Sequence, residues 1–340
     1  MKYNRLGKSG LKVSKVLLGA MSYGDPAHAK WMLLEEESLP LIYHAYKHGI
    51  NTWDTADFYS LGKSEEIIGK AIKKYEIPRE KVVILTKCFF GVDEAVLSNG
   101  QVDLMKAIVN DGEMVNRVGL SRKHILDAAD ASVKRLGTYI DVFQIHRLDH
   151  DVEPEEIMKA LNDVVESGKA RYIGASSMAA WEFQHLNNVA EKHGWHKFIS
   201  MQNYHNLLYR EEEREMHAYC EHAGIGLIPW SPLAQGVLAR PWKNENESTR
   251  SQNNPFLALL VGENDHVIVD RVEEVAKKLN TTMATVAMAW SIKKGVNPIL
   301  GLSSVKRIDE AVQAVHFELS DEDVKYLNEA YKAKPVAPAW

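Results

Sequence analysis

The 340-residue chain is 45% hydrophobic and 26% charged, the balance of a soluble globular fold and not of a disordered or fibrous one. A formal net charge of -5 gives no global electrostatic case for binding nucleic acid. Two cysteines, Cys88 and Cys220, build no disulfide scaffold and form no CxxC pair, so a reducing compartment is expected. With no signal-like start and no apolar run near membrane-span length, the expected location is cytoplasmic, away from any membrane.

In chain order, YNRL, a turn over Gly7-Lys8-Ser9-Gly10 and LKVS read as a hairpin. VLLG (16–19) is a short apolar run suited to a buried strand. Strand and helix signals then alternate. Glu35–Lys47 reads as a helix stopped by Gly49, INTWDT (50–55) as a strand, and KSEEIIGKAIKKY (63–75) as an amphipathic helix capped by Ser64. KVVILTK (81–87) is strand-like. A helix from Ser121 to Leu136 ends at Gly137, and YIDVFQIH (139–146) follows as a strand. Pro154–Ser167 is a helix with proline in its first turn. RYIGAS, FISMQN, GIGLIPW and NPILGL read as strands; MAAWEFQHLNNVAEKH, REEEREMHAYCEHAG, 265–279, 282–294 and SVKRIDEAVQAV read as helices.

Eight strands from VLLG onward, separated by helices, predict a parallel α/β sheet with right-handed crossovers, closed into a (β/α)8 TIM barrel. A doubly wound sheet is the rival, but its usual GxGxxG turn is replaced here by Gly19-Ala20-Met21-Ser22-Tyr23-Gly24. The expected organisation is one domain over 1–340. It has an N-terminal β-hairpin, long loops at Cys88–Leu120 and Leu233–Asp265 on the C-terminal face, and a tail (315–340) packing on the barrel.

In a barrel, polar residues at strand C-terminal ends point into the mouth. Asp54 ends INTWDT, with Asp57 and Tyr59 just beyond; Lys87 ends VVILTK; His146 ends VFQIH. Ser176 and Ser177, Gln202 and Asn203, and Trp230 and Ser231 end later strands. Singly, each has an ordinary structural reading as a cap, a solvated charge or packing. Asp, Tyr, Lys and His on three successive strand ends are harder to explain as coincidence. Tyr23, Trp31, Phe58, Phe89 and Phe90 are candidate pocket walls. His44 and His48 have ligand spacing on one helix face but lack the glutamate of HExxH and a third ligand, so no metal is expected. Tyr43 and Lys47 match YxxxK by chance, and no GxSxG or P-loop is present.

The segment GINTWDTADFYSLGKSEEIIGKAI resembles the first signature of the aldo-keto reductase superfamily, and the order and spacing of Asp54, Tyr59, Lys87 and His146 agree with it. HRLD and MQNYHNLLYREEE are similar to its fungal aryl-alcohol dehydrogenase and versiconal hemiacetal acetate reductase group. The resemblance spans essentially the whole chain. It implies reversible hydride transfer between NADPH and a small-molecule carbonyl or alcohol, with no obligate protein partner. Tyr59 would be the proton donor, Lys87 and Asp54 would tune it, and His146 would orient the substrate.

For the cofactor, the resemblance implies that Ser176, Ser177 and Gln202 hold the carboxamide and that Trp230 stacks on the nicotinamide. Ser231, Leu233, Gln235 and Gly236 would line the pyrophosphate. Ser303, Arg307 and Glu310 would reach the adenosine end, with Gly19, Ala20, Met21 and Asp54 beneath. Three positions depart from the family pattern: Ser177 and Ala311 stand where asparagine is common, and Trp230 where tyrosine is. Lys306 and Arg307 at a helix N-terminus suit a 2′-phosphate, favouring NADPH over NADH. A phenol's ordinary pKa is about 10. An ammonium about 4 Å away contributes on the order of 4 kcal/mol at an effective dielectric of about 20, so Tyr59 is expected to titrate below its ordinary value. The alternative is an NADPH-binding regulatory or redox-sensor subunit with little turnover, which an aromatic-aldehyde assay would separate from an enzyme.

Overall fold

The computed structural model describes residues 1–242 and 261–336. The chain opens with an antiparallel hairpin, β1 (Tyr3–Arg5) and β2 (Lys12–Ser14). Then come β3 (Leu17–Gly19), β4 (Thr52–Asp54) and β5 (Val83–Cys88). A small excursion hairpin follows, β6 (Leu97–Ser98) and β7 (Gln101–Val102). The remaining strands are β8 (Ile140–Ile145), β9 (Ala170–Ser176), β10 (Phe198–Gln202), β11 (Gly226–Leu227) and β12 (Ile299–Gly301). Among the described residues, eight of these form one parallel sheet in the order β11-β10-β9-β8-β5-β4-β3-β12. Its two ends meet: the Asn297 amide donates to the Leu227 carbonyl at 2.9 Å and the Ile299 amide to the Pro229 carbonyl at 2.9 Å. The sheet therefore curls into the (β/α)8 barrel.

Local chemistry places the helices that wrap it. Ser121 accepts from the His124 amide at 3.2 Å to start the helix Arg122–Leu136, and Gly137 at φ +67° ends it. Pro154 occupies the first turn of Pro154–Glu166. Gly69 sits inside the helix Lys63–Lys74 because a Cβ there would lie 2.5 Å from the Leu136 carbonyl oxygen of the neighbouring helix.

Strand alternation divides the core. Ile84, Phe143 and Ile145 face the helical layer, while Val83, Leu85 and Val142 face the barrel axis. There they pack with Leu17, Ile228 and Ile299, and with Leu6 and Val13 of the N-terminal hairpin, which plugs the bottom of the barrel.

Several local readings change. Ser64 is not a helix cap: the cap is Gly62 at φ +89°, and the buried Ser64 hydroxyl donates to the Ala20 carbonyl at 2.9 Å. Residues 210–224 are not one helix. A single turn, Glu211–Glu213, precedes Met216–Ala223, because Glu211 is held by Arg214 and Tyr331 while Glu213 is held by His205, Arg210 and Lys294. The regular strand in GIGLIPW ends at Leu227, and Pro229 has no N–H to give, yet pairing with the neighbouring strand continues: the Ile228 amide donates to the Met201 carbonyl at 3.0 Å and the Trp230 amide to the Asn203 carbonyl at 2.9 Å. The Cys88–Leu120 excursion carries its own hairpin and a one-turn helix, Leu104–Ala107. Of the second long loop and the tail, 243–260 and 337–340 lie outside the described residues. Among those described, no helix is long and apolar enough to cross a membrane.

Candidate active site

The alternation that fills the barrel floor with apolar side chains continues upward into polar ones. Along β5 the inward series is Val83, Leu85, Lys87; along β8 it is Val142, Gln144 and, one residue past the strand, His146. These meet Asp54 from the end of β4 and Gln202 from the end of β10. Lys87 is fully buried and donates to Asp54 Oδ2 at 2.7 Å, to the Thr55 carbonyl at 2.8 Å and to the Tyr59 hydroxyl at 3.1 Å. Asp54 Oδ1 accepts from Gln202 Nε2 at 2.8 Å and from Gln144 Nε2 at 3.1 Å. The aspartate thus has both oxygens satisfied, and the ammonium has three acceptors, as a charge pair buried away from water requires. The Tyr59 and His146 rings meet edge to face at 5.8 Å between centroids.

Electrostatics assign each group a state. Burial opposes the Lys87 charge, but Asp54 and Tyr59 outweigh it and hold the pKa above its ordinary value. Burial raises the Tyr59 phenol, and Lys87, though it pulls the other way, does not bring it back below its ordinary value. The sequence expectation of a lowered Tyr59 is therefore corrected: desolvation of the phenolate is the larger effect, and Asp54 adds to it. Burial, helped by Lys87 and Arg147, drives His146 well below its ordinary value, so the imidazole is neutral. Its Nδ1 is buried without a hydrogen-bond partner.

Above this floor opens a cavity of about 1540 Å³. Asp54, Tyr59, His146, Gly19, Met21, Ser176, Ser177, Gln202, Trp230, Ser231, Leu233, Gln235, Gly236, Arg307 and Glu310 all line it. Ala20 and Lys87 sit behind its wall, fully buried, and Ser303 reaches it only through Arg307, whose Nη1 donates to the Ser303 hydroxyl at 2.5 Å. Glu310 is engaged by the Thr282 hydroxyl. The Trp230 ring stacks on Tyr204 at 4.4 Å, and its N–H points to the Ser177 hydroxyl at 3.3 Å. Ala311 is fully buried among apolar side chains and does not line the cavity. Ser177, Ser231, Ala234 and Gln235 all carry positive φ, between 45° and 56°, a concentration of left-handed backbone typical of ligand clamps.

Of the expected pocket walls, Trp31, Phe58 and Phe90 line the cavity. Tyr23 does not: it is fully buried and its hydroxyl donates to the Leu302 carbonyl at 2.8 Å. Phe89 is buried edge-on against Phe90. Sequence reasoning overlooked Gln144, Arg147 and Arg240, which also shape the site, while the tail expected on this face reaches the cavity through Lys334–Val336. Gln144 was within reach of the same alternation, two residues before His146. The His44–His48 pair does gain a third group: Asp309, 265 positions away from His44, sits 2.7 Å from its Nε2, and the three ligand-type atoms lie within 4.8 Å of one another. Tyr43 of the YxxxK match packs against Tyr75 at 4.3 Å.

Comparison with known proteins agrees with this geometry. The Aldo/keto reductase family model matches residues 15–332. The chain is 61% identical to the versiconal hemiacetal acetate reductase of Aspergillus parasiticus, over 99% of each chain. It is 55% identical to a Schizosaccharomyces pombe protein that carries the aryl-alcohol dehydrogenase name, over 98% of this chain and 97% of that one. It is 49% identical to an aldo-keto reductase of Alternaria alternata, over 98% and 92%. A parallel barrel whose mouth joins Asp54, Tyr59, Lys87 and His146, and a match over nearly its whole length, show that this chain belongs to the aldo/keto reductase family, oxidoreductases that interconvert carbonyl and alcohol groups.

Proposed function

We propose that the protein is an NADPH-dependent reductase of aldehydes or ketones, with Tyr59 as the proton donor. The observation that carries this reading is the Asp54–Lys87–Tyr59 chain of hydrogen bonds at the cavity floor. Carbonyl reduction needs a proton at oxygen as hydride reaches carbon. Tyr59 gives its hydroxyl proton to the substrate oxygen. The Lys87 ammonium, 3.1 Å away, then stabilises the phenolate left behind, and Asp54 keeps that ammonium charged in a dry site. Neutral His146 presents an imidazole with no side-chain partner of its own to orient the carbonyl. In the reverse direction the Tyr59 phenolate takes the alcohol proton.

The donor set along the cavity fits a nicotinamide dinucleotide. Gln202 spends its Nε2 on Asp54, which leaves its Oε1 to accept from a carboxamide beside Ser176 and Ser177. Trp230 offers an aromatic wall, the left-handed run at Ala234–Gly236 brings backbone to the cavity with Ser231 and Leu233, and Arg307 stands at the far end with Ser303. Met21 and Gly19 supply the near wall, and a Cβ at Gly19 would press within 2.9 Å of the Ile299 side chain. When bound, the reduced cofactor supplies the hydride. Arg307, at the start of the helix Val305–Ala314, suits the 2′-phosphate that distinguishes NADPH.

The test is consumption of NADPH with aromatic aldehydes. The Tyr59→Phe variant is expected to lose about 10²–10⁴ in turnover while still binding NADPH in a fluorescence titration. Wild-type turnover in that variant would refute the assignment.

A further inference from the structure

Arg147 stands beside Tyr59 and His146 yet takes no part in the side-chain hydrogen bonds that join Asp54, Lys87 and Tyr59. It lines the cavity next to His146, and its guanidinium lies 5.9 Å from the Phe90 ring. Among the described residues its one hydrogen bond runs from Nη1 to the His146 carbonyl at 2.6 Å. Nε is buried with no partner. Among the described residues no carboxylate pairs with this guanidinium. Of the acids that line the cavity with it, Asp54 is bound to Lys87, Glu182 to His150 and the Ala179 amide, and Glu211 to Arg214 and Tyr331. Burial pulls the Arg147 pKa down to about 10, and the only group acting the other way is Tyr59.

Arg147 is half-buried, with its Nε enclosed and no carboxylate beside it, and a charge that loses part of its hydration without gaining a partner is costly to keep in a folded chain. The residue lines the same cavity into which Tyr59 and His146 open. Trp31, Phe58, Phe90 and Met178 give the same cavity an apolar and aromatic lining. A planar guanidinium with free donors recognises a carboxylate by its geometry as well as its charge.

We propose that Arg147 is a substrate-binding residue that selects aromatic carbonyl compounds carrying a carboxylate. This rests on the reductase reading above and names its substrate class. An incoming carboxylate meets Arg147, the ring lies against Phe58 and Phe90, and the carbonyl turns toward Tyr59.

The experiment compares kcat/KM for the ortho, meta and para formylbenzoates with that for the matching methylbenzaldehydes, in wild type and in Arg147→Gln. For at least one isomer the wild-type ratio of carboxylate to methyl substrate is expected to fall about tenfold or more in the variant, with partial recovery in Arg147→Lys. A ratio unchanged by Arg147→Gln overturns the proposal. Turnover of the methylbenzaldehydes reads the reductase assignment separately, since it needs no anion. Should no aldehyde turn over, or should the variant fail to fold, calorimetry on the wild-type protein with NADP⁺ decides: benzoate binding about tenfold tighter than benzamide supports the proposal, and equal affinities overturn it.

Discussion

At the scale of single residues, the site works by placing charge where water is absent. Lys87 is fully buried, and without Asp54 its ammonium would have to be solvated by carbonyl and hydroxyl oxygens alone. The titration of the site follows from this. The Tyr59 pKa is raised above its ordinary value, so its phenol stays protonated from acid through neutral pH and loses its proton only on the alkaline side. His146 is depressed, so it is already neutral well below its ordinary value. The kcat for reduction is therefore expected to stay flat through neutral pH and to fall only on the alkaline side of a phenol's ordinary value of about 10. A descending limb centred near neutrality in a stopped-flow pH profile would show that Lys87 wins over burial instead. At the other end of the cavity, Arg307→Ala is expected to raise KM for NADPH about tenfold or more and to leave KM for NADH nearly unchanged. Equal changes for both cofactors would remove the 2′-phosphate contact.

At the scale of elements, close approach overrides intrinsic preference. Gly69 lies in the middle of the helix Lys63–Lys74, where alanine would gain about 1 kcal/mol of helix propensity. Yet a Cβ there would stand 2.5 Å from the Leu136 carbonyl oxygen and 3.0 Å from that of Arg135. Both obstacles are backbone and cannot rotate away. Gly69→Ala is therefore expected to destabilise the protein by about 1–3 kcal/mol in urea unfolding; a rise in stability would mean that these two helices separate without cost. The same contact region holds Arg135, whose Nε donates to Glu65 at 2.6 Å, while Glu65 in turn accepts from Thr86 on β5 at 2.5 Å. A helix surface residue thus reaches the barrel wall through a buried carboxylate.

At the scale of the whole molecule, the end opposite the active site holds the barrel shut. Asn297 donates through its amide to the Leu227 carbonyl, and through Nδ2 to Asn4 Oδ1 at 2.8 Å and the Ser14 carbonyl at 3.1 Å. Asn4 Nδ2 returns a bond to Asn297 Oδ1 at 3.1 Å. One side chain ties the last strand to the plugging hairpin, so Asn297→Ala is expected to cost about 2–4 kcal/mol, read as a lowered denaturant midpoint with kcat retained. A parallel loss of kcat would mean that closure also sets the geometry of the mouth. The barrel itself was legible in the chain, because strand and helix differ in hydrophobic period and their strict alternation admits few topologies. Asp54, Tyr59, Lys87 and His146 were legible for a related reason: a polar residue ending an apolar run must face either solvent or a mouth. Residues without such a position were not. Gln144 lies inside a run of buried residues, Ser64 mimicked a cap, and Tyr23 and Phe89 were aromatic but packed inward. Sequence alone thus determined the fold and the types of group at the mouth, since both follow from local periodicity. The sign of the Tyr59 shift, the third partner of His44 and His48 and the unpaired edge of Arg147 were decided by tertiary structure, because desolvation and pairing depend on distances between segments far apart in the chain.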